Sequence, residues 1–513
     1  MADESRTGRC LRNGAYSASL LVVNIILGFV ARGVFVRHVG VEFLGLNTSV
    51  EGILGLLNVA ELGVSYAIAS SLYGPMASGD KVAVAELVAI QGWVYRRVAL
   101  FIVAASLALL PFFPAIFSDA SFPLAYAYAA FAVYLFGSLL GFFVNYKMVV
   151  LDVSQEAYKV TLAMRVPSAV RTVLQIIALA VTDHGYEWWL ALNVICAVCV
   201  SLSISRFVRV DHPYLTVSAS EGGVLRHRYP QVSRRVWQMM FHRIAGVALR
   251  QSSSVILLAY ATLADVGVYG NYMLIFSGVS LLVESLFNGV QAGVGNLVHT
   301  SRRSHVLSVF AELLTFRVIV AAVCAFGFYV VSPSFVSIWV GPQYVMGSVP
   351  LLLLSIMLFI DVSRSAVEAF LCANGWFSDV WAPLAEVMLN VGLSVLLGRY
   401  WGLSGILAGV LVSLVVIVLG WKPYFLFRIK MRCGFRSYWR SYACGVAAAS
   451  VIAVALYAVY SGLCGGLPVS ASFAASVGVT LLFGVVCASV LSVSSSGGRR
   501  LASRLRSLLS SRP

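Results

Sequence analysis

Apolar residues in this chain form long continuous runs, and polar residues fall mainly into short stretches between them. Each run has about 20 residues, enough for an α-helix to cross the ~30 Å hydrocarbon core of a bilayer. Strands of a membrane β-barrel are instead about 10 residues long and alternate apolar with polar positions. The pattern predicts an all-α integral membrane protein with about fourteen transmembrane helices, at about residues 13–36, 44–70, 98–117, 122–146, 160–182, 187–205, 238–260, 268–298, 309–332, 348–372, 380–398, 402–421, 441–460 and 470–493.

The overall composition agrees with a membrane protein. Of the 513 residues, 60% are apolar and only 11% are charged, whereas soluble domains carry about 25% charged residues. Arg6, Arg9 and Arg12 precede a first apolar run that is longer than the roughly 7–15 residues of a signal-peptide core. We therefore predict that this run is retained as the first transmembrane helix.

The position of the basic residues decides what the formal net charge of +15 means. Basic residues concentrate in alternate connections, above all at 206–235 and 422–440, and in the tail RRLASRLRSLLSSRP. Connections on the opposite side hold only Arg37 and Arg399. This asymmetry follows the positive-inside rule and predicts a multi-pass membrane protein with both termini in the cytoplasm. Nucleic-acid binding is therefore the weaker interpretation of the charge.

The longest polar stretch, about residues 206–237, separates six predicted spans from eight. The segments VGVEFLGLNTSV (39–50) and ADVGVYGNYMLI (264–275) resemble each other and indicate an internal repeat. Copies of six spans each would be parallel. We predict two parallel six-helix lobes around a central cavity plus two C-terminal helices. The expected divisions are an N-terminal lobe at 1–210, a cytoplasmic linker at 211–237, a C-terminal lobe at 238–428, and the last two helices with the basic tail at 429–513.

The sequence lacks the motifs and loops of several enzyme classes. It contains no GxxxxGK[ST] motif for a nucleotide-driven pump and no HExxH metal motif. No connection is long enough to form a soluble domain, such as those expected of glycan polymerases or ligases. Cys196 and Cys199 lie within an apolar run, where they are better explained as small packing residues than as a redox pair. We predict that the protein is not an enzyme and has no cofactor and no metal centre.

Charged and polar residues recur inside the predicted spans at helical spacing. Asp361, Arg364 and Glu368 step by three and then four residues, so they share one helix face and Arg364 can pair with either carboxylate. A charge at the bilayer centre costs at least ~2.5 kcal/mol, so such residues need an explanation. Similar stripes occur in four other spans: Glu51, Asn58, Glu61 and Ser65; Ser168, Arg171 and Gln175; Arg243, Arg250 and Ser254; and Glu284, Asn288, Gln291 and Gly295.

Ion pairing between helices explains some of these charges, and we interpret Glu51 and Arg243, near span ends, as pairing or snorkelling residues. As a set, the stripes predict a shared polar interior. Guanidinium groups are the preferred partners of phosphate oxygens, so we expect an anionic, phosphate-bearing substrate. The predicted substrate-binding residues are Arg32, Arg165, Arg171, Arg250 and Arg317. The predicted counter-ions, some of which would titrate with a driving proton or bind sodium, are Glu61, Glu284, Asp361, Arg364 and Glu368.

Several segments resemble the polysaccharide-transporter family of the MATE-like flippase superfamily, the Wzx-type flippases of lipid-linked oligosaccharides. The resemblance is most specific in ARGVFVRHVGVEFLGLN and ILGLLNVAELGVSYAIASSLYGPMASGD, and continues in DVGVYGNYMLI, ANGWFSDVWAPLAEVMLNVGLSV and GLSGILAGVLVSL. It covers about residues 10–430. It implies two six-helix lobes around a cationic cavity and alternating access that carries an undecaprenyl-diphosphate-linked sugar to the outer leaflet. Within the matching motifs, the resemblance implies that Arg32 and Glu61 are functional residues.

Together with the charged stripes, the resemblance implies a flippase of the bacterial inner membrane for capsule, O-antigen or exopolysaccharide biosynthesis. Its expected partners are the undecaprenyl-diphosphate-linked glycan, membrane lipids and polysaccharide polymerase or assembly proteins, with no nucleic acid. Four alternatives stay open. The first is an ion-coupled multidrug exporter of the same superfamily, in whose cavity acidic residues should dominate, and the second is a lipid II flippase, which the two additional spans also suit. The third is a glycan polymerase or ligase, which should expose a long outer loop, and the fourth is a non-transporting scaffold, which would not need polar stripes on so many helices.

Overall fold

Every regular element formed by the described residues is a helix. The computed structural model describes residues 23–58, 62–118, 120–154, 156–230, 255–300, 303–373, 376, 379, 381–432, 434–464, 467–495 and 497–503. Among these residues, ten helices are long and apolar enough to cross a membrane. The chain is thus an all-helical, multi-pass membrane protein, as its apolar runs predict.

The chain divides into two compact units between Gly267 and Val268. In the N-terminal unit, a glycine and an aspartate mark the turn between two long helices. Gly79 has a φ of +72°, which favours glycine, and Asp80 caps the next helix by accepting a 3.0 Å hydrogen bond from the N–H of Ala83. The helices of this unit are α1 (23–38), α2 (Val41–Leu57), α3 (Leu62–Ser78), α4 (Lys81–Leu109), α5 (Phe113–Ile116), α6 (Leu124–Phe143), α7 (Met148–Val153), α8 (Ala157–Val181), α9 (Gly185–Asp211), α10 (Gly222–Leu225) and α11 (255–260).

The predicted span at 44–70 consists of two helices rather than one. Helix α2 ends at Leu57, with Asn58 as its C-cap, and α3 begins at Leu62. Each has 17 residues, just short of the roughly 20 that a single crossing needs. Hydropathy alone did not detect this division because both helices are apolar.

The helices of the C-terminal unit are longer on average. The first of them, α12, begins a few residues before the division between the units. Between the second half of α15 and residue 430, the chain continues in wider π-helical turns at Leu414–Trp421 and Phe425–Lys430. The helices are α12 (Leu263–Thr300), α13 (Arg303–Trp339), α14 (Ser348–Ala373), α15 (Trp381–Ser413), α16 (Lys422–Tyr424), α17 (Phe435–Cys464), α18 (Val469–Ser494) and α19 (497–503).

Helix α15 contains two spans that reverse direction at a glycine. Gly402 has φ +54° and ψ −133°, a backbone conformation open mainly to glycine. Past this residue the chain returns along itself, so that a Cβ at Gly409 would lie 2.4 Å from the backbone nitrogen of Ser394. The Ser394 hydroxyl donates a 3.0 Å hydrogen bond to the carbonyl of Ile406. These contacts match the two predicted spans at 380–398 and 402–421.

The last two long helices pack within the C-terminal unit, against α13. The rings of Phe326 on α13 and Phe483 on α18 stack with centroids 4.4 Å apart. A Cβ at Gly327 would lie 2.9 Å from the Thr480 side chain, so the glycine permits close packing of the two helices. Helices α17 and α18 therefore extend the core of this unit.

The polar connection after α9 lies against the end of α4 near residue 81. Trp93 lies between two guanidinium groups, those of Arg97 and Arg226, 4.0 and 4.9 Å from its ring centroid. Glu86 accepts hydrogen bonds of 2.7 Å from Arg228 and 2.8 Å from the Tyr229 hydroxyl. Burial and this carboxylate raise the pKa of Tyr229 to about 12. Residues 212–230 are thus fixed to the N-terminal unit by charge and aromatic contacts.

Candidate functional site

A charged cluster in the N-terminal unit brings together four helices. Glu51 on α2 interacts electrostatically with both Arg32 on α1 and Arg171 on α8. The hydroxyl of Tyr134, on α6, is hydrogen-bonded to Glu51. We call Arg32, Glu51, Tyr134 and Arg171 the N-terminal cluster. It contains two of the predicted arginines, and the interaction of Glu51 with both agrees with its interpretation as a pairing residue.

Neutral groups hold the Arg171 guanidinium in place. One of its terminal nitrogens donates a 2.9 Å hydrogen bond to the side-chain oxygen of Asn193, and the other is 3.4 Å from the Ser168 hydroxyl. Asn193 is itself oriented by a 3.1 Å hydrogen bond to the backbone carbonyl of Trp189. Because amides and hydroxyls carry no formal charge, they fix the direction of Arg171 without neutralising it.

Arg165 lies at the surface of the same helix. Its side chain is exposed, and its backbone carbonyl accepts a 3.4 Å hydrogen bond from Asn24 of α1. It precedes Arg171 by six residues, about 9 Å along α8. Its predicted role in substrate binding stays a prediction.

The predicted stripe in α14 forms two ion pairs. Arg364 lies 2.9 Å from an oxygen of Asp361 and 3.8 Å from an oxygen of Glu368. Ser280 on α12 donates a 3.0 Å hydrogen bond to the other oxygen of Asp361. The pairing of Arg364 with both carboxylates is as the spacing predicts. Leu358 and Val362, which lie to one side of Asp361 around the helix, are buried.

Two further predicted residues belong to the same electrostatic neighbourhood. Glu284 on α12 interacts with Arg364 and with Arg317 of α13. Arg317 is only 7% exposed, and its guanidinium lies 3.5 Å from the ring centroid of Phe287. Stacking on an aromatic face partly compensates the cation for lost water.

Glu386 is the charged residue of this neighbourhood that the sequence reasoning missed. It is 5% exposed, on the first half of α15, and interacts with Arg364 and with Lys422. Asn390 and Ser394 follow it at steps of four and are fully buried. The same spacing rule that identified the other stripes would have found this one in PLAEVMLN. We call Glu284, Arg317, Asp361, Arg364, Glu368 and Glu386 the C-terminal cluster.

Two predicted residues cannot be placed in either cluster. Arg250 and Glu61 lie outside the described residues, so their roles stay predictions. No group of three or more His, Cys, Asp or Glu residues within the described part of the chain could hold a metal ion.

The two clusters suit different ions. In the N-terminal cluster two arginines face one glutamate, and Arg171 keeps neutral partners, so an anion would be attracted. In the C-terminal cluster two arginines, together with Lys422 beside Glu386, face four carboxylates, so a cation or a proton would be attracted. Among the described residues, arginines thus outnumber the carboxylate in the N-terminal cluster, whereas carboxylates outnumber the arginines in the C-terminal cluster.

No protein-family model and no curated protein matches the chain. Solved structures do match in fold. One is the lipid II flippase MurJ in an inward closed conformation, with a TM-score of 0.63 and 14% identity over 92% of this chain and 98% of that one. Another is an inward-facing multidrug resistance MATE family transporter of the MOP superfamily, with a TM-score of 0.59 and 13% identity over 79% of this chain and 96% of that one. A third is a Vibrio cholerae MATE transporter, with a TM-score of 0.53 and 13% identity over 84% of this chain and 97% of that one. The chain therefore has the fold of these transporters.

Proposed function

We propose that this chain is a flippase of the MOP superfamily, of the Wzx type, which moves an undecaprenyl-diphosphate-linked oligosaccharide across the bacterial inner membrane. It carries the glycan from the cytoplasmic to the outer leaflet by alternating access, for capsule, O-antigen or exopolysaccharide synthesis. Both termini lie in the cytoplasm, and the chain performs no covalent chemistry. The fold shared with a lipid II flippase and with MATE transporters supports transport as the general activity.

The observation that carries the proposal is the surplus of positive charge in the N-terminal cluster. Arg32 and Arg171 share the single carboxylate of Glu51, and Arg171 is oriented by Asn193 and Ser168. A diphosphate offers several oxygens to such guanidinium groups through charge-assisted hydrogen bonds. An organic cation would instead be repelled. This charge balance favours a lipid diphosphate over the cationic compounds expected of a drug exporter.

In this proposal the C-terminal cluster binds the proton or sodium ion whose gradient drives the transport cycle. Glu386 is buried beside Arg364, and four carboxylates compete for two arginines. Such a group takes up a proton or a sodium ion more readily than a balanced ion pair does. Differential affinity for that ion between two conformations would bias the alternating-access equilibrium.

A lipid II flippase is the second candidate. The MurJ structure covers 92% of this chain, whereas the two MATE transporters cover 79% and 84%. Helices α17 and α18, which extend the C-terminal core, suit this candidate as well as a Wzx-type protein. Both candidates bind a polyprenyl diphosphate, and they differ in the glycan.

Reconstitution of the purified full-length chain into liposomes tests the proposal. A fluorescent polyprenyl diphosphate bearing a disaccharide is placed in both leaflets, and a membrane-impermeant quencher measures how fast the inner pool reaches the outside. We expect translocation above that of protein-free liposomes, inhibited by excess unlabelled polyprenyl diphosphate. Efflux of ethidium is measured in parallel.

The outcomes distinguish the candidates. Ethidium transport without any diphosphate transport would contradict the flippase proposal and support the drug exporter. Transport of lipid II at a higher rate than of probes lacking the peptide would favour the second candidate.

A further inference from the structure

A cavity inside the N-terminal unit is separate from the N-terminal cluster. Its volume is about 680 Å³, within the ~300–1,000 Å³ of small-molecule pockets. Its walls come from α3, α4, α6, α8, α9 and residues 145–152. None of the four residues of the N-terminal cluster lines it. We call it the N-unit pocket.

The N-unit pocket has buried acceptor atoms on its wall. Gln91 on α4 is only 1% exposed, and its side-chain oxygen has no hydrogen-bond partner among the described residues. The side-chain oxygen of Asn145 is also buried and has no hydrogen-bond partner among the described residues. A buried acceptor without a partner is costly. Both residues line the pocket, so a ligand with hydrogen-bond donors would satisfy them.

The other polar groups of the pocket are mostly neutral. The Ser138 hydroxyl donates a 2.8 Å hydrogen bond to the side-chain oxygen of Asn58, and Ser65 is hydrogen-bonded to the Tyr95 hydroxyl. Among the described residues, the lining includes one carboxylate, that of Asp152, and neither lysine nor arginine. This part of the lining therefore offers no cation to a phosphate group. Amides, hydroxyls and aromatic rings beside small apolar side chains suit an uncharged molecule rich in hydroxyl groups.

The pocket and the N-terminal cluster lie along the same helices. On α2, Asn58 follows Glu51 by seven residues, and on α8, Met164 precedes Arg171 by seven. Seven residues are two helical turns on nearly the same face, or about 10 Å. On α9, Ala197 of the pocket is one turn beyond Asn193, the partner of Arg171. Three helices thus place the pocket on one consistent side of the cluster.

We propose that the N-unit pocket binds a sugar residue of the substrate whose diphosphate is held by the N-terminal cluster. The inference rests on the proposed function and deepens it. Hydroxyl groups of the sugar donate to Gln91 and Asn145, and the ring packs on the apolar wall. A diphosphate that carries two or three sugar rings is long enough to extend from the cluster into the pocket. The pocket thereby distinguishes glycosylated from bare lipid diphosphates.

Translocation by the full-length chain in liposomes tests this assignment with two probes, a fluorescent polyprenyl diphosphate with a disaccharide and one without sugar. Gln91→Met combined with Asn145→Leu removes both acceptors while keeping similar volume. We expect the double variant to move the disaccharide probe about tenfold more slowly and the bare probe at the wild-type rate. Gln343→Met, at an exposed position of the C-terminal unit, is the matched control.

A steric variant gives an independent test. Gly141 lines the pocket, and a Cβ there would meet nothing within 4 Å, so Gly141→Phe should fill the pocket without breaking the helix packing. It should slow the disaccharide probe only. Gly478→Phe on α18 is its control, because a Cβ at Gly478 would also meet nothing within 4 Å. Thermal unfolding of each variant checks that the protein is folded.

Each outcome bears on the assignment. Equal loss of both probes, or no loss of either, in the folded variants would overturn the sugar pocket. A change in ethidium transport alone would assign the pocket to an organic cation instead. A wild-type chain that moves neither diphosphate probe would refute the proposed function itself, which is a different result from a chain whose variants fail to discriminate.

Discussion

In the N-terminal unit Arg32 and Arg171 share the carboxylate of Glu51, whereas in the C-terminal unit Arg317 and Arg364 lie among four carboxylates. The partners differ as well as the numbers. Arg171 donates to the neutral side chain of Asn193, while Arg364 forms ion pairs with acidic groups on its own helix. A neutral partner orients a guanidinium and leaves its charge available, but a carboxylate cancels it.

This contrast shows that an arginine count does not by itself locate an anion site. Both units contain arginines at helical spacing, and in both units these arginines lie in apolar helices. The partners brought by neighbouring helices decide whether a given arginine is available to a substrate or acts as the counter-ion of a carboxylate. This difference is why our proposal gives the diphosphate to the N-terminal cluster and the coupling ion to the C-terminal cluster.

The largest effect is expected at the centre of the C-terminal cluster. Arg364→Ala leaves Asp361 and Glu368 without their cation. Because these side chains are about a third exposed, the cost should lie between those of exposed and buried pairs, about 1–3 kcal/mol of stability. Adding Glu368→Gln removes one uncompensated charge and should restore part of the loss. Thermal unfolding and protein abundance measure the loss in the single variant and the recovery in the double variant. Arg399→Ala, at an exposed position, is the control. A single variant as stable as wild type would show that the ion pairs do not hold α14 in place.

Substrate binding should depend most strongly on the N-terminal cluster. Arg171→Ala removes charge-assisted hydrogen bonds and should weaken binding of a polyprenyl diphosphate about ten- to a hundredfold. Arg171→Lys keeps the charge but not the fork of donors, so it should recover only part of the affinity. Binding is measured with the purified chain and a fluorescent polyprenyl diphosphate. If Arg317→Ala lowered affinity more than Arg171→Ala does, the assignment of the two clusters would be reversed.

Removing the buried carboxylate of the C-terminal cluster should affect coupling rather than binding. Glu386→Gln should reduce the acceleration of transport by a proton or sodium gradient about fivefold or more, with the affinity for the diphosphate unchanged. Rates in liposomes with and without each gradient measure this. Glu221→Gln, exposed in the connection after α9, serves as the control. Equal gradient dependence in Glu386→Gln and wild type would exclude this residue from coupling.

The smallest expected effect is a difference in the rate of cysteine labelling between the charged and the buried face of α14. The side chains of Asp361 and Glu368 are 29% and 41% exposed, whereas Val362 is 3% exposed. In a chain without native cysteines, Asp361→Cys and Glu368→Cys should react several-fold faster with a small charged thiol reagent than Val362→Cys. Mass spectrometry after timed labelling measures the rates. Equal rates around the helix would mean that water does not reach the charged face selectively.

Much of the architecture follows from local sequence. Runs of about 20 apolar residues predict spanning helices because a bilayer leaves no other partner for the backbone polar groups. The pairing of Arg364 with Asp361 and Glu368 was predicted for a similar reason, since the three residues share one helix and its geometry fixes their separation. The division of the predicted span at 44–70 into α2 and α3 was not predicted, because hydropathy is similar on both sides of it.

Contacts between helices could not be read from the sequence in the same way. Periodicity places Glu51 and Arg171 on faces of their own helices, but it does not say that these faces meet, nor that Asn193 and Tyr134 join them. Nor does it show that Gln91 and Asn145 line one pocket although they are far apart in the chain. Spacing within a helix is set by a repeating backbone geometry, whereas contacts between helices depend on how the whole bundle packs. The sequence by itself thus determined the helices and their charged faces, and the tertiary structure decided which charges neutralise one another.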